Sequence, residues 1–327
     1  ARVEVGPGMP TSPNTDLYRP NPGDAYAGQM VRNGAFTDAT ADSLGAYAFD
    51  TVKFSEKFEA TGGLRWDRFK VDYMSVAATG VATPLASTDR MVSWRAGGIS
   101  KPKPYGSVYL GYATSFNPSA EGFALTTSTV NLEPEKTRTA EAGTKWDLMR
   151  ERMSFNAGVF HTEKTNARTP GINAGDPPTV LAGKQVVNGV ELGVTGRFNR
   201  RLTGIMNYSY MHSEIPRSNT AAEIDQSLQF TPTSTFYLWA TYDVWRSLKV
   251  GGGAQYMDSV FRNAVNTTNV PSYWLTSALA SYDVNQHLTL RMNANNIGDA
   301  KYVDRTSGGH YIPGPGRSVV LSAGLKF

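Results

Sequence analysis

The chain has 327 residues, of which 18% are charged and 40% are hydrophobic, and its formal net charge is +4. It contains no cysteine, which excludes a disulfide-stabilised fold, a thiolate metal site and a cysteine nucleophile. The basic residues are scattered and form no runs, so we expect no nucleic-acid partner. No stretch approaches the roughly 18 to 20 apolar residues of a transmembrane helix, so any membrane crossing must use strands.

Two-residue alternation of apolar and polar side chains predicts an all-β fold. Near the C-terminus, for example, Val319, Leu321 and Leu325 fall on one face and Ser318 and Ser322 on the other. No helical period of comparable strength interrupts this pattern. It predicts about thirteen strands, near 41–54, 57–74, 88–101, 105–116, 133–148, 152–169, 181–198, 201–213, 233–244, 247–260, 271–284, 287–303 and 318–327.

The connections between these strands alternate in length, which is typical of an outer-membrane barrel with tight periplasmic turns and long extracellular loops. Composition alone also permits a large soluble all-β protein, but such a fold has no reason to keep every second connection short. The short turns are Ser55–Lys57, Pro102–Pro104, Leu148–Glu151, Asn199–Arg200, Trp245–Arg246 and Asn285–Gln286. The long connections fall near 75–87, 117–132, 170–180, 214–232, 261–270 and 304–317.

Residues 1–40 are rich in Pro, Gly, Asn and Asp and show little alternation, so we interpret them as an extracellular loop region before a barrel segment at 41–327. Thirteen is an odd number, whereas bacterial single-chain barrels have even numbers of strands. An open barrel would also leave two unpaired edges in lipid. We therefore expect further strands to precede this sequence.

Several segments, taken in their order and spacing, resemble those of TonB-dependent siderophore receptors. Within that family, Thr162–Arg168 (TEKTNAR) and His310–Arg317 (HYIPGPGR) most resemble the catecholate receptors of the Fiu type. The resemblance extends from about residue 41 to the end. The other segments that carry it are Tyr112–Gly122 (YATSFNPSAEG), Asn131–Arg138 (NLEPEKTR), Glu141–Lys145 (EAGTK), Gly183–Gln185 (GKQ), Gly189–Gly193 (GVELG), Asn295–Asp299 (NNIGD) with Tyr302, and Phe327.

The resemblance implies a transmembrane antiparallel barrel of 22 strands with a plug in its lumen, of which this chain holds about the last thirteen strands. It implies that the plug domain and the TonB box lie outside this sequence. It also implies a place in the Gram-negative outer membrane, among lipid and lipopolysaccharide. The implied partners are a ferric siderophore, the TonB–ExbB–ExbD complex and the barrel-assembly machinery, for which Phe327 resembles the C-terminal signal. No covalent cofactor is implied, because iron is carried as the ferric siderophore.

The candidate ligand-binding residues are basic and aromatic side chains near the predicted extracellular ends of strands. A ferric catecholate is anionic and aromatic, so Arg or Lys and stacking rings suit it. For each residue the alternative is a solvated loop charge or loop packing. The candidates are Phe116, Asn117, Lys164, Arg168, Arg262, Arg305, His310 and Tyr311.

Charged residues on the inward faces of neighbouring strands, such as Glu141, Lys145 and Glu191, are expected to pair across strands or contact the plug, with ligand binding as the alternative. The four histidines lack metal-ligand spacing, and no nucleophile elbow or phosphate-binding loop appears, so we predict no enzyme and no metal site. A passive porin remains the alternative function. A third interpretation, an outer-membrane hydrolase, would need a catalytic cluster that the sequence does not show.

Overall fold

The structure is a computed structural model that describes residues 3–5, 21, 23, 30–118, 125–170, 179–307 and 310–326. Within these residues no helical segment reaches the length and hydropathy that crossing a membrane would require. One short 3-10 helix spans Ala221–Glu223. The strands are β1 (Val3–Val5), β2 (Met30–Arg32), β3 (Phe36–Lys53), β4 (Phe58–Val76), β5 (Ala82–Lys103), β6 (Gly106–Asn117), β7 (Glu135–Leu148), β8 (Met153–Pro170), β9 (Thr179–Arg197), β10 (Leu202–Arg217), β11 (Ser234–Asp243), β12 (Leu248–Met257), β13 (Val260–Phe261), β14 (Asn269–Val270), β15 (Tyr273–Asp283), β16 (Leu288–Asn295), β17 (Val303–Ser307), β18 (His310–Pro313) and β19 (Ser318–Leu325).

Among the described residues, thirteen strands form one antiparallel sheet in chain order, which confirms the predicted all-β organisation. Strands β3 to β12 are consecutive neighbours, and β15, β16 and β19 continue the order to the other edge. The remaining six strands pair as three separate two-stranded sheets, β1–β2, β13–β14 and β17–β18. An up-and-down order of this kind needs only local connections, because each strand pairs with its chain neighbours.

The strand register separates an apolar face from a more polar one, as the alternation predicts. Leu238 lies opposite Met206 on one side and Ala254 on the other, so these three side chains share a face. Leu238 and Met206 are exposed there, as are other apolar side chains in β16 and β19. An exposed apolar face on a long antiparallel sheet is the face that a barrel turns to lipid. The next row, with Trp239 opposite Gly253, belongs to the other face.

Three of the short turns are fixed by the same device, a side-chain oxygen that accepts hydrogen bonds from the backbone of the following residues. Ser55 Oγ accepts from Lys57 and Phe58, each at 3.2 Å. The Asn199 side chain accepts from residues 201 and 202, each at 2.8 Å, and Asn285 accepts from residues 287 and 288. Ser and Asn favour turns because they satisfy backbone donors in this way. The predicted short turns are therefore confirmed at these places.

The predicted long connection at 75–87 is wrong. Strand β4 continues to Val76 and β5 begins at Ala82, so only residues 77–81 connect them. Gly80 has a φ of 82°, and the backbone N–H of Ala77 donates to the carbonyl of Val81 over 2.9 Å, which closes a tight hairpin. The sequence pattern missed these strand residues because they are largely Ser, Ala and Thr, whose alternation carries little hydrophobic contrast, and because they include Pro84, which is uncommon in strands.

The predicted strand at 287–303 is too long, because β16 ends at Asn295. Asn296 then takes a φ of 46°, which an asparagine tolerates better than most residues. Its side-chain amide donates to the carbonyls of Ala300 and Pro315, over 3.0 and 3.1 Å, and its Oδ1 accepts from Ala300 N–H. These bonds end the strand and fold the Asn295–Asp299 segment into a turn.

The other boundaries differ from prediction where tertiary pairing extends a strand or organises a loop. Strand β3 begins at Phe36, inside the predicted loop region 1–40, because β4 pairs with it. Strand β10 runs on to Arg217 and β12 stops at Met257. The hairpins β13–β14 and β17–β18 each begin one residue before a predicted loop, 261–270 or 304–317, and otherwise lie within it. The predicted assembly signal, Phe327, lies outside the described residues.

The chain divides into two compact units. The first comprises residues 1–45, 67–91 and 117–134. It has a small core in which Val71 is fully buried and packs with Leu125, against Phe69, Tyr73 and Leu85. The second unit comprises residues 46–66, 92–116 and 135–327 and holds most of the sheet.

Candidate functional site

An arginine and a tyrosine from two different loop hairpins come together in the second unit. Arg262 directly follows β13, and its guanidinium carbon lies 5.3 Å from the centroid of the Tyr311 ring in β18. Its backbone N–H donates to the carbonyl of Thr268 over 2.8 Å, which fixes the start of its side chain. A cation over an aromatic face within about 6 Å is attracted by the ring quadrupole. Two of the predicted residues therefore form one group.

The Tyr311 ring remains available to a ligand because 44% of the residue is exposed. Tyr311 lies opposite Thr306 in the β17–β18 hairpin, and Arg305 of the same hairpin lies opposite Ile312. The Arg305 side chain is 72% exposed and its Nε is 3.8 Å from Asp304 Oδ2, an ion pair of little strength in water. His310 lies opposite Ser307, and its side chain is outside the described residues. The hairpin thus carries three of the predicted residues.

A pair of tyrosines supports this hairpin, and the sequence analysis did not assign them to the site. The Tyr273 and Tyr302 rings are 4.6 Å apart between centroids. Tyr302 also lies so close to Gly314 that a Cβ at that position would overlap its ring, and its carbonyl accepts from Gly314 N–H over 2.9 Å. Burial raises the pKa of Tyr302, and the negative charge of Asp304 adds to the effect. The sequence did offer one indication of this role, because Tyr302 closely follows the Asn295–Asp299 motif of the family resemblance.

Lys164 and Arg168 form a second group, around the buried carboxylate of Glu135. Lys164 Nζ lies 3.1 Å from Glu135 Oε2, and the backbone N–H of Arg168 donates to Oε1 over 3.3 Å. Glu135 is only 7% exposed. A charge that is nearly buried must be paired, so Lys164 has a structural role as a partner of Glu135, which is neither the predicted ligand contact nor a solvated loop charge. The sequence analysis missed Glu135, although it lies within the quoted Asn131–Arg138 motif.

Phe116 and Asn117 lie at a third place, as the last two residues of β6, and both are half-buried. Among the described residues, no group of three or more His, Asp or Glu side chains is arranged to hold a metal ion. The eight predicted ligand residues therefore occupy several strand ends, and among them the side chains of Arg262 and Tyr311 are in direct contact.

Two of the predicted inward charges, Glu141 and Lys145, meet around Tyr109 of β6. The Tyr109 hydroxyl donates to Glu141 Oε1, and Lys145 Nζ lies 5.6 Å from the centroid of the same ring. These residues line a cavity of about 530 Å³ together with Arg95, whose guanidinium carbon is 4.0 Å from the Phe49 ring centroid. The shared face of Glu141 and Lys145 is thus confirmed. The cavity has both charges and aromatic rings on the side of the sheet opposite the apolar face.

A family model and individual protein relatives both place this chain among TonB-dependent receptors. The model of the family described as "TonB dependent receptor-like, beta-barrel" matches residues 5–297. A probable TonB-dependent receptor of Bordetella pertussis, BfrD, is 32% identical over 97% of this chain and 46% of its own length. A probable TonB-dependent siderophore receptor of Acinetobacter baumannii, PiuA, is 34% identical over 89% of this chain and 41% of its own length.

The solved structures include a similar fold. The crystal structure of the ferric-catecholate import receptor Fiu from Escherichia coli K12, in its closed form, superposes with a TM-score of 0.86 at 29% identity. The match covers 99% of this chain and 50% of that one. The chain therefore spans about half the length, or slightly less, of the relatives and the structure it matches.

Proposed function

Because the chain belongs to the TonB-dependent receptor β-barrel family, whose members are outer-membrane proteins of Gram-negative bacteria, we propose that it is part of a receptor that imports ferric siderophores. The predicted fold class and cellular location agree with this family. The substrate class, the energy source and the partners are our proposals, because the chain covers about half of its relatives' length.

The observation that carries the proposal is the Arg262–Tyr311 pair at the end of the sheet where the long connections lie. A ferric catecholate presents negative charge and aromatic edges. An arginine beside an exposed tyrosine offers both a cation and a ring for such a ligand. The names of PiuA and Fiu, which describe siderophore and ferric-catecholate receptors, support the same chemistry for this chain. We place Arg305 and His310, on the Tyr311 hairpin, at the edge of the same site.

Release of the ligand into the periplasm would require energy from TonB with ExbB and ExbD, acting through the plug. The cavity around Tyr109, Glu141 and Lys145 faces away from the apolar side of the sheet, which suits contact with a plug inside the lumen. No covalent chemistry is involved, and iron is cargo. Phe327 would carry the signal for the barrel-assembly machinery, and the exposed apolar face would contact outer-membrane lipid, with lipopolysaccharide in its outer leaflet.

The experiment that tests this function is uptake of radioactive iron by iron-starved cells that carry the full-length gene. Iron is supplied as a catecholate or as a hydroxamate complex, with and without TonB. We expect uptake of the catecholate complex only, and we expect it to stop without TonB. The negative control is the same strain carrying an empty vector, which should take up neither complex through this receptor.

Two outcomes would contradict the proposal in different ways. Uptake that continues without TonB would identify a passive porin, because diffusion through an open pore needs no energy. Uptake of the hydroxamate complex alone would leave active import in place and exclude a catecholate as the ligand.

A further inference from the structure

The side-chain amide of Asn266 forms a matched pair of hydrogen bonds with the backbone of Ser227. Ser227 N–H donates to Asn266 Oδ1 over 2.8 Å, and Asn266 Nδ2 donates back to the Ser227 carbonyl over 2.9 Å. The same Nδ2 donates to the carbonyl of Asn263 over 3.2 Å. One amide thus satisfies both backbone groups of a residue far away in sequence, as a neighbouring strand would.

Asn266 is placed for this task by a tight turn between β13 and β14. Its φ is 55°, in the left-handed region that asparagine tolerates better than most residues. Its backbone N–H donates to the carbonyl of Asn263, and Asn263 Oδ1 accepts from Thr267 N–H over 3.1 Å. The turn therefore holds the Asn266 side chain in one direction, towards the connection that carries Ser227.

Two further hydrogen bonds hold the connections that Asn266 joins. The connection between β10 and β11 is anchored by Leu228 N–H, which donates to Ser213 Oγ over 3.1 Å. A second bridge runs from Phe230 N–H to the carbonyl of Phe261 over 2.8 Å. Phe261 immediately precedes Arg262. The bonds at Ser227 and Phe230 therefore restrain the β13–β14 hairpin at its tip and at the base of Arg262.

We propose that Asn266 is a positioning residue that joins these two loops into one unit and thereby holds the Arg262 guanidinium beside Tyr311. We call the Asn266 side chain and its two hydrogen bonds to the Ser227 backbone the loop clamp. The inference rests on the proposed function, because the cation it positions is the one assigned to the anionic ligand. A cation held in place before binding loses less freedom when the ligand arrives, so the clamp increases affinity without contacting the ligand.

Three variants of the full-length receptor separate the clamp from other roles of the same loops. Asn266→Gly removes the amide and keeps the left-handed backbone accessible, so backbone strain does not confuse the result. Asn266→Asp keeps the size and the acceptor oxygen but loses the donor, leaving a carboxylate facing two carbonyl oxygens. Ser227→Ala is the matched control, because the clamp uses only the backbone of Ser227.

The first measurement is hydrogen exchange of the backbone amides at 225–231 in the purified receptor. We expect faster exchange in Asn266→Gly and Asn266→Asp, and wild-type exchange in Ser227→Ala. Unchanged exchange in both Asn266 variants would overturn the clamp, whatever the ligand is. This result does not depend on siderophore binding.

The second measurement is the Kd for a ferric catecholate in a double-mutant cycle with Arg262→Gln. We expect Asn266→Gly to raise the Kd about five- to tenfold, and to add little once Arg262 is already replaced. Independent, multiplying effects would overturn the positioning role, since a residue acting through Arg262 needs that arginine. A wild-type receptor that binds no ferric catecholate would refute the catecholate as its ligand, while the exchange result would still test the clamp by itself.

Discussion

Arg262 and Tyr311 lie in separate hairpins, yet the guanidinium carbon of the arginine is 5.3 Å from the centroid of the tyrosine ring. Neither hairpin belongs to the thirteen-stranded sheet that the described residues form, so both are additions to its end. An interaction of this kind contributes about 0.5 to 2 kcal/mol depending on exposure, too little to explain the hairpins as stability devices alone. It does set a cation and a ring side by side for a ligand.

Replacing Arg262 should weaken ligand binding. We expect Arg262→Gln to raise the Kd for a ferric catecholate about tenfold, because it removes both the charge and the planar cation. Arg262→Lys should give an intermediate loss, since lysine keeps the charge but not the planar shape. Calorimetric titration of the full-length receptor measures this. Arg246→Gln, the same change in an exposed short turn, is the control and should bind as the wild type does; an equal loss there would point to net charge alone.

The Glu135 group should affect stability and not affinity. Lys164→Met removes one charged partner of the nearly buried Glu135 carboxylate, so we expect the free energy of unfolding to fall by about 1 to 3 kcal/mol. Glu135→Gln should cost less, because a neutral amide oxygen still accepts from the Arg168 backbone. Urea unfolding followed by gel mobility gives the comparison. A Lys164→Met receptor with normal stability and weakened siderophore binding would instead return Lys164 to the ligand site.

The Asp299 carboxylate should make its loop sensitive to acid. The backbone N–H of Arg317 donates to it over 3.0 Å and Lys301 lies nearby, and together they lower the pKa of Asp299 from its ordinary value. A lowered folded-state pKa stabilises the loop above the unfolded-state value of about 4, and this contribution disappears as pH falls through the folded-state pKa. Hydrogen exchange at Arg317, corrected for intrinsic rates, should therefore accelerate below about pH 4.

The control for this pH effect is Asp299→Asn, which keeps an acceptor oxygen and suits the φ of 50° at this position. It should remove the pH dependence of exchange at Arg317. The same acid-induced acceleration in the variant would show that another group is responsible.

Neighbouring glycines in β12 should differ in their tolerance of a methyl group. A Cβ at Gly253 would overlap the Leu238 carbonyl and approach Trp239 Cε3 to 2.6 Å, whereas one at Gly252 would meet nothing closer than Ser277 O at 3.5 Å. We expect Gly253→Ala to lower the free energy of unfolding by about 1 to 3 kcal/mol through overpacking, and Gly252→Ala to be nearly neutral. The heat-resistant folded fraction on gels measures both. Equal behaviour of the two variants would contradict this packing.

The sequence by itself determined the fold class and most of the strand order. Alternation with period two requires extended chain, and one apolar face per strand fixes which side chains point the same way. Ser55, Asn199 and Asn285 also indicate turns, because the side-chain oxygen of each accepts hydrogen bonds from the backbone N–H groups two and three residues later. These are properties of adjacent residues, so they can be read without knowing the rest of the molecule. The family resemblance, carried by short motifs, extended this to an outer-membrane receptor.

Only the tertiary structure decided how the loops are built and which candidates meet. The β4–β5 hairpin extends through residues whose alternation shows little hydrophobic contrast. Hydrogen bonding between the two strands keeps these residues extended although their local sequence pattern does not predict a strand. Arg262 contacts Tyr311, whereas Lys164 pairs with Glu135. The sequence spacing of these residues does not indicate which of them contacts another candidate and which pairs with a buried carboxylate. The physical reason is that a contact between distant loops depends on the summed geometry of every strand between them. Residue type states what a side chain can bind, and the fold decides what lies within its reach.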